Sequence, residues 1–287
     1  MMFRGFALLI TISLLTDCVG QITHPRISPQ AKLVQHVGLT TIEVDYSRPG
    51  VRGRKIIGEL VPYGRIWRVG ANESTKITFS DSVMINQTAL PPATYALYAI
   101  PEAEQWTIIF HNNINHWGDG RTNYNSKEDA LRFVVKPQRT KSLTETFTIE
   151  FDSITHNRAV MVWRWEYTQV SFVIQVNTQQ KMLEHIRQQL AGNPTGMTYY
   201  EAARYLQEEN IFPEKAKLYL ESALKLLGDT YYVHRVWSLV EAQLGNLEEA
   251  IRHAKVSKEL SAKEGKDEFV RMNEKSIQEW TVKVKKK

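Results

Sequence analysis

The sequence is poor in cysteine and lacks the familiar catalytic signatures, and these absences narrow its function. Cys18 is the only cysteine among 287 residues. A disulfide framework and a thiolate zinc site each need several cysteines, so the sequence excludes both. The chain also contains no metalloprotease HExxH motif, no GxSxG nucleophile motif and no phosphate-binding loop. We therefore expect no cofactor and no metal ion, and no reaction class is indicated directly.

Long apolar runs are missing except near the N-terminus. Residues 6–15 form an apolar run that follows the positive charge of Arg4 and is too short to span a bilayer as a helix. Small residues, Cys18 and Gly20, precede a cleavage point before Gln21. Residues 1–20 are thus predicted to be a signal peptide, which makes the protein exported, periplasmic or extracellular, with no transmembrane span in the mature chain.

A lipoprotein anchor at Cys18 is the alternative interpretation of this leader. Asp17 stands directly before the cysteine, where a lipoprotein signal has a small residue, so we favour simple cleavage. Cleavage removes Cys18, and the mature protein then has no cysteine nucleophile.

Charge gives little indication of a partner. The formal net charge of +5 is small and dispersed, which does not indicate nucleic-acid binding. A hydrophobic content of 43% and a charged content of 23% are typical of a folded globular protein.

Residues 21–177 are predicted to form a β-sandwich domain. Polar and apolar residues alternate with period two in segments such as 41–46, 94–100 and 145–151. Turn signals separate these short segments, and no helix-length pattern intervenes. Many short strands in succession favour an antiparallel β-sandwich or barrel.

The pattern changes to a helical period after residue 177. Residues 178–197 are predicted to be a connecting helix and turn, and residues 198–287 a helical repeat with a capping helix at 267–284. Glu214-Lys215-Ala216 recurs as Glu248-Glu249-Ala250 at an offset of 34 residues. This segment resembles the tetratricopeptide repeat, which has that period. The fold class predicted is therefore a mainly β N-terminal domain followed by all-α, tetratricopeptide-like helical hairpins.

The residues between Tyr46 and Thr75 form the most distinctive stretch. They contain YSRP at Tyr46–Pro49 and GRKIIGELVPYGRIWRVGANEST at Gly53–Thr75. This stretch resembles a family of exported bacterial proteins known as domain of unknown function 2911. The resemblance covers roughly residues 28–176 and implies no established activity.

The first functional hypothesis is a non-catalytic binding site for an anionic or saccharide ligand. Six basic residues lie between positions 48 and 68, and guanidinium groups bind carboxylate, phosphate or sulfate in a bidentate manner. Aromatic rings nearby suit sugars. The candidate ligand-binding residues are Arg48, Arg54, Tyr63, Trp67, Arg68, Asn72 and Glu73. A purely structural alternative pairs Arg68 with Glu73 and lets Asn72 cap a turn.

Two further hypotheses belong to other functional classes. One is an uncharacterised hydrolase that uses polar groups such as Glu73 or the loop histidines. Its candidate acid–base groups are Glu73, His111, His116 and Asp119. The secondary site candidates of the domain are His111, His116, Trp117 and Tyr124. The other is an envelope scaffold, in which the helical repeats at 198–287 bind a partner protein along a groove.

Overall fold

The computed structural model describes residues 24–116 and 124–286. The predicted signal peptide, Trp117 and Asp119 lie outside these residues. The chain divides between Val176 and Asn177 into two compact units, here called the β unit and the helical unit.

The β unit is built from two antiparallel sheets. The first has the strand order β1-β2-β3-β6-β7-β8 and the second the order β5-β4-β10-β9. The strands are β1 Gln30–Val37, β2 Thr40–Ser47, β3 Thr75–Phe79, β4 Val83–Ile85, β5 Thr88–Leu90, β6 Thr94–Pro101, β7 Trp106–His111, β8 Asp129–Val135, β9 Gln138–Asp152 and β10 Arg158–Val176. The antiparallel β domain predicted from the sequence is confirmed.

Residues from both sheets share one core, which makes the unit a sandwich. Along β2, Ile42, Val44 and Tyr46 are buried, and the residues between them are partly exposed. The period-two alternation of the sequence is this inward and outward alternation of side chains. Trp163 and Trp165, two residues apart on β10, both face the same core.

The first sheet also buries residues on its other face. Ala96, Tyr98 and Ile109 are buried there in a separate cluster, beneath Ile66 and Tyr124. The sheet is therefore buried on both faces around β6 and β7, which explains why the burial pattern of β6 is nearly continuous.

The helical unit is all-α in the part of the chain that the structure describes. Its helices are α1 Thr178–Ala191, α2 Gly196–Glu208, α3 Pro213–Leu227, α4 Tyr231–Gln243, α5 Leu247–Lys263 and α6 Asp267–Val284. Thr195 caps α2 and exchanges hydrogen bonds with Thr198 in a capping box. None of the helices in the described ranges is both long and apolar enough to cross a membrane.

Helix positions follow the 34-residue offset of the sequence. The helix α3 begins at Pro213 and α5 at Leu247, and Ala216 and Ala250 are both fully buried where the helices pack. Gly245 ends α4 with a φ of +83°. The first copy has Ile211 at the equivalent position, and there Asn210 and Phe212 adopt positive φ instead. The helices fit a repeat-like region, and the tetratricopeptide assignment stays a prediction.

A buried histidine pair joins α4 to α5. The Nδ1 atoms of His234 and His253 are 2.8 Å apart, and the ring of Trp237 stacks on His253 at 4.3 Å. Burial, and then the neighbouring Arg252 and His234, lower the pKa of His253 to about 4. His253 is therefore neutral in the folded protein at neutral pH.

This histidine makes the stability of the helical unit depend on pH. The unfolded chain binds a proton at His253 below about pH 6.5, whereas the folded chain does so only near pH 4. Acidification from about pH 6.5 to pH 4 should thus lower the free energy of unfolding by about 3 kcal/mol. Urea titrations followed by circular dichroism at 222 nm test this.

His253→Phe keeps an aromatic ring against Trp237 and should flatten this pH dependence. His185 is exposed on α1, so His185→Phe serves as the control and should keep the wild-type pH profile. Identical profiles for His253→Phe and wild type would contradict the assignment.

Candidate functional site

The distinctive stretch of the sequence folds as one long loop, residues 48–74, between β2 and β3. Its first part forms a bridge from Gly50 to Thr146 on β9 of the second sheet. Its later part forms a bridge from Trp67 to Ala99 on β6 of the first sheet, with N–O distances of 2.7 and 2.8 Å. The loop is therefore fixed to both sheets, and its side chains have defined positions despite the lack of regular structure.

Backbone conformations near the end of the loop explain part of its sequence. Gly70 has a φ of +146°, and a Cβ atom there would lie 2.8 Å from the carbonyl oxygen of Ser47. Only glycine fits this position without a shift of the backbone. Val69 just before it has a φ of +54°, which is strained for a β-branched residue. Strain of this kind is often found beside functional sites.

Four arginines of the loop line one cleft of about 380 Å³, here called the arginine cleft. They are Arg52, Arg54, Arg65 and Arg68. Trp67 and Trp165 form part of its wall, and Ile27 and Ser28 complete one side. The loop thus gathers cations that are spread over 17 positions of the sequence (52 to 68) into one concave surface.

Backbone carbonyl groups hold two of these arginines in place. Arg54 donates from Nη2 to Gly50 O at 2.6 Å and from Nε to Val51 O at 3.0 Å. Arg52 donates from Nη2 to Ile27 O at 3.0 Å. These bonds orient the guanidinium groups and leave their charge uncompensated.

The cleft is strongly positive because acids are scarce around it. Within residues 24–116 and 124–286, the guanidinium groups of Arg52, Arg54 and Arg65 form no ion pair with a carboxylate. Glu145 lies at the rim, where its Oε1 accepts the backbone N–H of Arg52 at 2.9 Å. Burial raises the pKa of the nearby Tyr98 hydroxyl. Ser74 and the positive charge of Arg68 partly oppose this rise.

The tryptophan in this cleft is a core residue. Trp67 is 7% exposed, stacks on Trp165 at a centroid distance of 5.9 Å and contacts Trp106 and Phe147 edge-on. Its indole N–H donates to Gly70 O at 3.1 Å. Neighbouring rings therefore occupy most of its surface, and little of it faces the cleft as a platform for a sugar.

The other predicted ligand-binding residues of the loop lie outside the cleft lining. Arg48 donates to Phe147 O at 3.1 Å and to Thr148 Oγ1 at 2.9 Å, which ties the start of the loop to β9. Asn72 has a φ of +61° and donates to Ser28 O and Ser47 Oγ. These hydrogen bonds give both residues a structural role in the loop.

Glu73 forms its ion pair with a residue that precedes the sandwich. Arg26 donates to both carboxylate oxygens, at 3.1 and 3.2 Å. Burial works to raise the pKa of Glu73, but a backbone hydrogen bond and Arg26 outweigh it and leave this pKa lowered. The alternative to ligand binding predicted that Glu73 pairs with Arg68. In the structure, the ion-pair partner of Glu73 is Arg26.

Tyr63 belongs to a second cleft of about 480 Å³, here called the tyrosine cleft. Its ring is 47% exposed and faces the same space as Tyr167, which is 37% exposed. Arg139 lies over the ring of Tyr167 at 5.5 Å. Charges of both signs line this cleft, so it lacks the uniform positive character of the arginine cleft.

The secondary candidates His111, His116 and Tyr124 meet on the outer face of the first sheet. The rings of His111 and His116 are 5.2 Å apart, and those of His111 and Tyr124 are also 5.2 Å apart. His111 contacts Asn113 O and Asn125 O through its two ring nitrogens, and His116 contacts the Tyr98 hydroxyl at 3.1 Å. The sequence placed the two histidines in one loop, whereas in the fold His111 is the last residue of β7 and His116 packs beside Tyr98 of β6.

Burial shifts the pKa values of two members of this cluster, His116 and Tyr124. Burial and the neighbouring His111 lower the pKa of His116, while burial and the bound Asp129 raise the pKa of Tyr124 to about 12. Both groups stay neutral as a result. In the described ranges, no group of three or more histidine or acidic side chains is arranged to hold a metal ion.

Sequence reasoning missed part of the cleft. Arg52 and Arg65 stood out only as members of a basic run, and Trp165 only as a strand residue. Trp165 is about 100 positions after the loop, and no local pattern connects the two. The basic run was the one usable signal, since four of its arginines do line the cleft.

Comparison with known proteins gives a family and no activity. The family described as "Protein of unknown function (DUF2911)" matches residues 28–174, just over half of the chain. The protein belongs to this family. The match covers the loop and nearly all of the two sheets, so the described residues that line the arginine cleft, apart from Ile27, lie within the matched part of the chain. No curated protein and no solved structure matches the chain.

Arg48 should contribute to stability rather than to ligand binding. Arg48→Met removes two hydrogen bonds from a charged group to β9, and because the site is only partly buried we expect a loss of about 1–2 kcal/mol. Denaturant titration measures it. Arg65→Met is the control, since Arg65 is exposed, and it should change stability by less than about 0.5 kcal/mol. Equal midpoints for Arg48→Met and wild type would show that the two bonds are unimportant.

Proposed function

We propose that this protein is an exported binding module that holds an anionic ligand in the arginine cleft. The observation that carries the proposal is the convergence of Arg52, Arg54, Arg65 and Arg68 on one cavity of about 380 Å³. Guanidinium groups suit the planar and bidentate geometry of carboxylate, sulfate or phosphate. The cavity has the size of a small-molecule site.

The composition of the cleft supports binding rather than catalysis. Among the described residues that line it there is no histidine, acid, cysteine or tyrosine, so the Ser28 hydroxyl has no general base of these types in the lining to activate it. The residues named for the hydrolase alternative already have partners: Glu73 pairs with Arg26, His111 contacts two backbone carbonyl groups, and His116 contacts the Tyr98 hydroxyl.

Between the two ligand classes that the sequence suggests, the cleft favours the anionic one. A neutral sugar needs an open aromatic face, and Trp67 is covered by other rings. An acidic saccharide is consistent with the cleft, because its carboxylate or sulfate group would meet the arginines. The ligand is thus recognised first by its negative charge.

Removal of one cleft arginine should weaken binding markedly. Arg65→Gln deletes an exposed guanidinium group at the cleft, with an expected loss in affinity of about tenfold or more for a bound oxyanion. Isothermal titration calorimetry with citrate, inorganic phosphate, sulfate and a sulfated oligosaccharide measures this. Affinity should also fall as the salt concentration rises.

Arg139→Gln is the matched control, because it removes the same charge from the tyrosine cleft. It should leave the affinity within about twofold of wild type. An equal loss for both variants would indicate a general charge effect, and no binding of any of the four anions would contradict the proposal.

A scaffold function of the helical unit is the second candidate, and one observation favours it. A groove of about 1030 Å³ runs along α1 and α3 and is lined by Leu183, Ile186, Leu190, Phe212 and Tyr219, with charged residues at its edge. Phe212 is 54% exposed at this groove. Such a groove fits the apolar face of a partner helix.

Substitution at Phe212 separates this candidate from the first. Phe212→Ala should abolish co-purification of a partner from cell extracts and should leave anion binding unchanged. Arg65→Gln should weaken anion binding and should leave co-purification of the partner unchanged. Leu218 supplies the control, because it is 60% exposed on helix α3 and does not line the groove. Leu218→Ala should therefore retain the partner, and equal recovery with all three variants would reject the scaffold function.

A further inference from the structure

A small cavity lies in the aromatic core of the β unit, here called the tryptophan chamber. Its volume is about 10 Å³, which is room for about one water-sized sphere. The residues that line it are Ile57, Trp67, Trp106, Phe147, Trp163, Trp165, Thr168 and Val170. Trp67 and Trp165 also line the arginine cleft, and Trp106 also lines the tyrosine cleft. The chamber therefore lies between the two clefts.

Three of the tryptophans that line this chamber have an indole N–H group with no acceptor among the described residues. The Nε1 atoms of Trp106, Trp163 and Trp165 are buried, and none has a hydrogen-bond partner within the described residues. The side chains themselves are 2–4% exposed. By contrast, the indoles of Trp67 and Trp237 donate to Gly70 O and Glu241 Oε1.

Leaving three buried donors unpaired is costly. Each one loses its hydrogen bond to water on folding, at a cost of about 1–3 kcal/mol. Folded proteins satisfy nearly all such groups. Since all three side chains line one cavity, an acceptor in that cavity is the simplest way to satisfy them together.

The chemistry of the lining selects the kind of acceptor. A water molecule accepts two hydrogen bonds and has two hydrogens to donate, but among the described lining residues only Thr168 has a side-chain oxygen atom. A monatomic anion accepts from every donor and has nothing to donate. The positive edges of the tryptophan rings also favour an anion.

Charge near the chamber has the matching sign. Among the described residues that line it there is no carboxylate. Four arginines stand on the other side of the wall formed by Trp67 and Trp165, and the low dielectric of the core lets their field reach the cavity. This field lowers the cost of placing a negative charge there.

We propose that the tryptophan chamber is a binding site for a halide ion, chloride under ordinary conditions, held by the indole N–H groups of Trp106, Trp163 and Trp165. The cavity has room for about one water-sized sphere, so the surrounding rings must move outward to admit the larger ion. Binding is weak, since a buried ion without a direct cationic partner loses its hydration. The site is separate from the arginine cleft and does not depend on the ligand proposed there.

Bromide tests the proposal, because it replaces chloride and scatters X-rays anomalously. Crystals of the full chain soaked in sodium bromide should show an anomalous peak in the chamber, within hydrogen-bond reach of the three indole nitrogens. An ordered water or no density in the chamber, with bromide only at surface arginines, would overturn the proposal.

A second measurement works in solution and does not need crystals. Trp163→Phe keeps an aromatic ring but removes one N–H donor, so bromide affinity measured by the broadening of the bromide NMR signal should fall about tenfold. Trp237→Phe is the control in the helical unit and should retain the wild-type affinity. If Trp163→Phe does not fold, Trp106→Phe and Trp165→Phe provide the same test, and unchanged affinity in every folded variant would refute the site.

Discussion

The arrangement of the β unit depends on how the loop of residues 48–74 is fixed across the two sheets. Two short backbone bridges, Gly50 to Thr146 and Trp67 to Ala99, attach opposite ends of the loop to different sheets. A loop of this length would otherwise have many conformations, and ordering it has a large entropic cost. The bridges and the buried Trp67 offset that cost, and they turn an irregular segment into a rigid wall.

Rigidity is what allows several arginines to stand close together. Like charges repel, and a flexible loop would let its guanidinium groups separate into water. Here carbonyl oxygens of Gly50, Val51 and Ile27 hold Arg52 and Arg54 in place. Under the proposed function, such a preformed cluster of cations would lose little additional conformational entropy when an anion binds. The charge of the cleft and the strain at Val69 are thus two consequences of one fixed loop.

Aromatic residues connect this wall to the interior. Trp67 and Trp165 stack together, and through them the arginine cleft, the tryptophan chamber and the tyrosine cleft share their walls. Tryptophans in a core usually place their N–H group against an acceptor. In this core three indoles are left without one in the described structure, which is why the chamber stands out from ordinary packing.

The sequence by itself determined the order of the two units, the period of their elements and the stretch that carries the basic residues. These are local properties, because strand alternation, helical stripes and the 34-residue offset are properties of near neighbours along the chain. The fold also shows that local patterns were not sufficient for the site. Arg48 and Arg54 are six positions apart in the same basic run, yet one binds β9 and the other lines the cleft. Only the tertiary structure decided on which side of the loop each guanidinium group lies. It also decided which distant residues, Trp165 and Arg26 among them, contact the loop. The physical reason is that these contacts join segments about 50 to 100 positions apart, and the packing of two sheets rather than any pattern near the loop sets their positions.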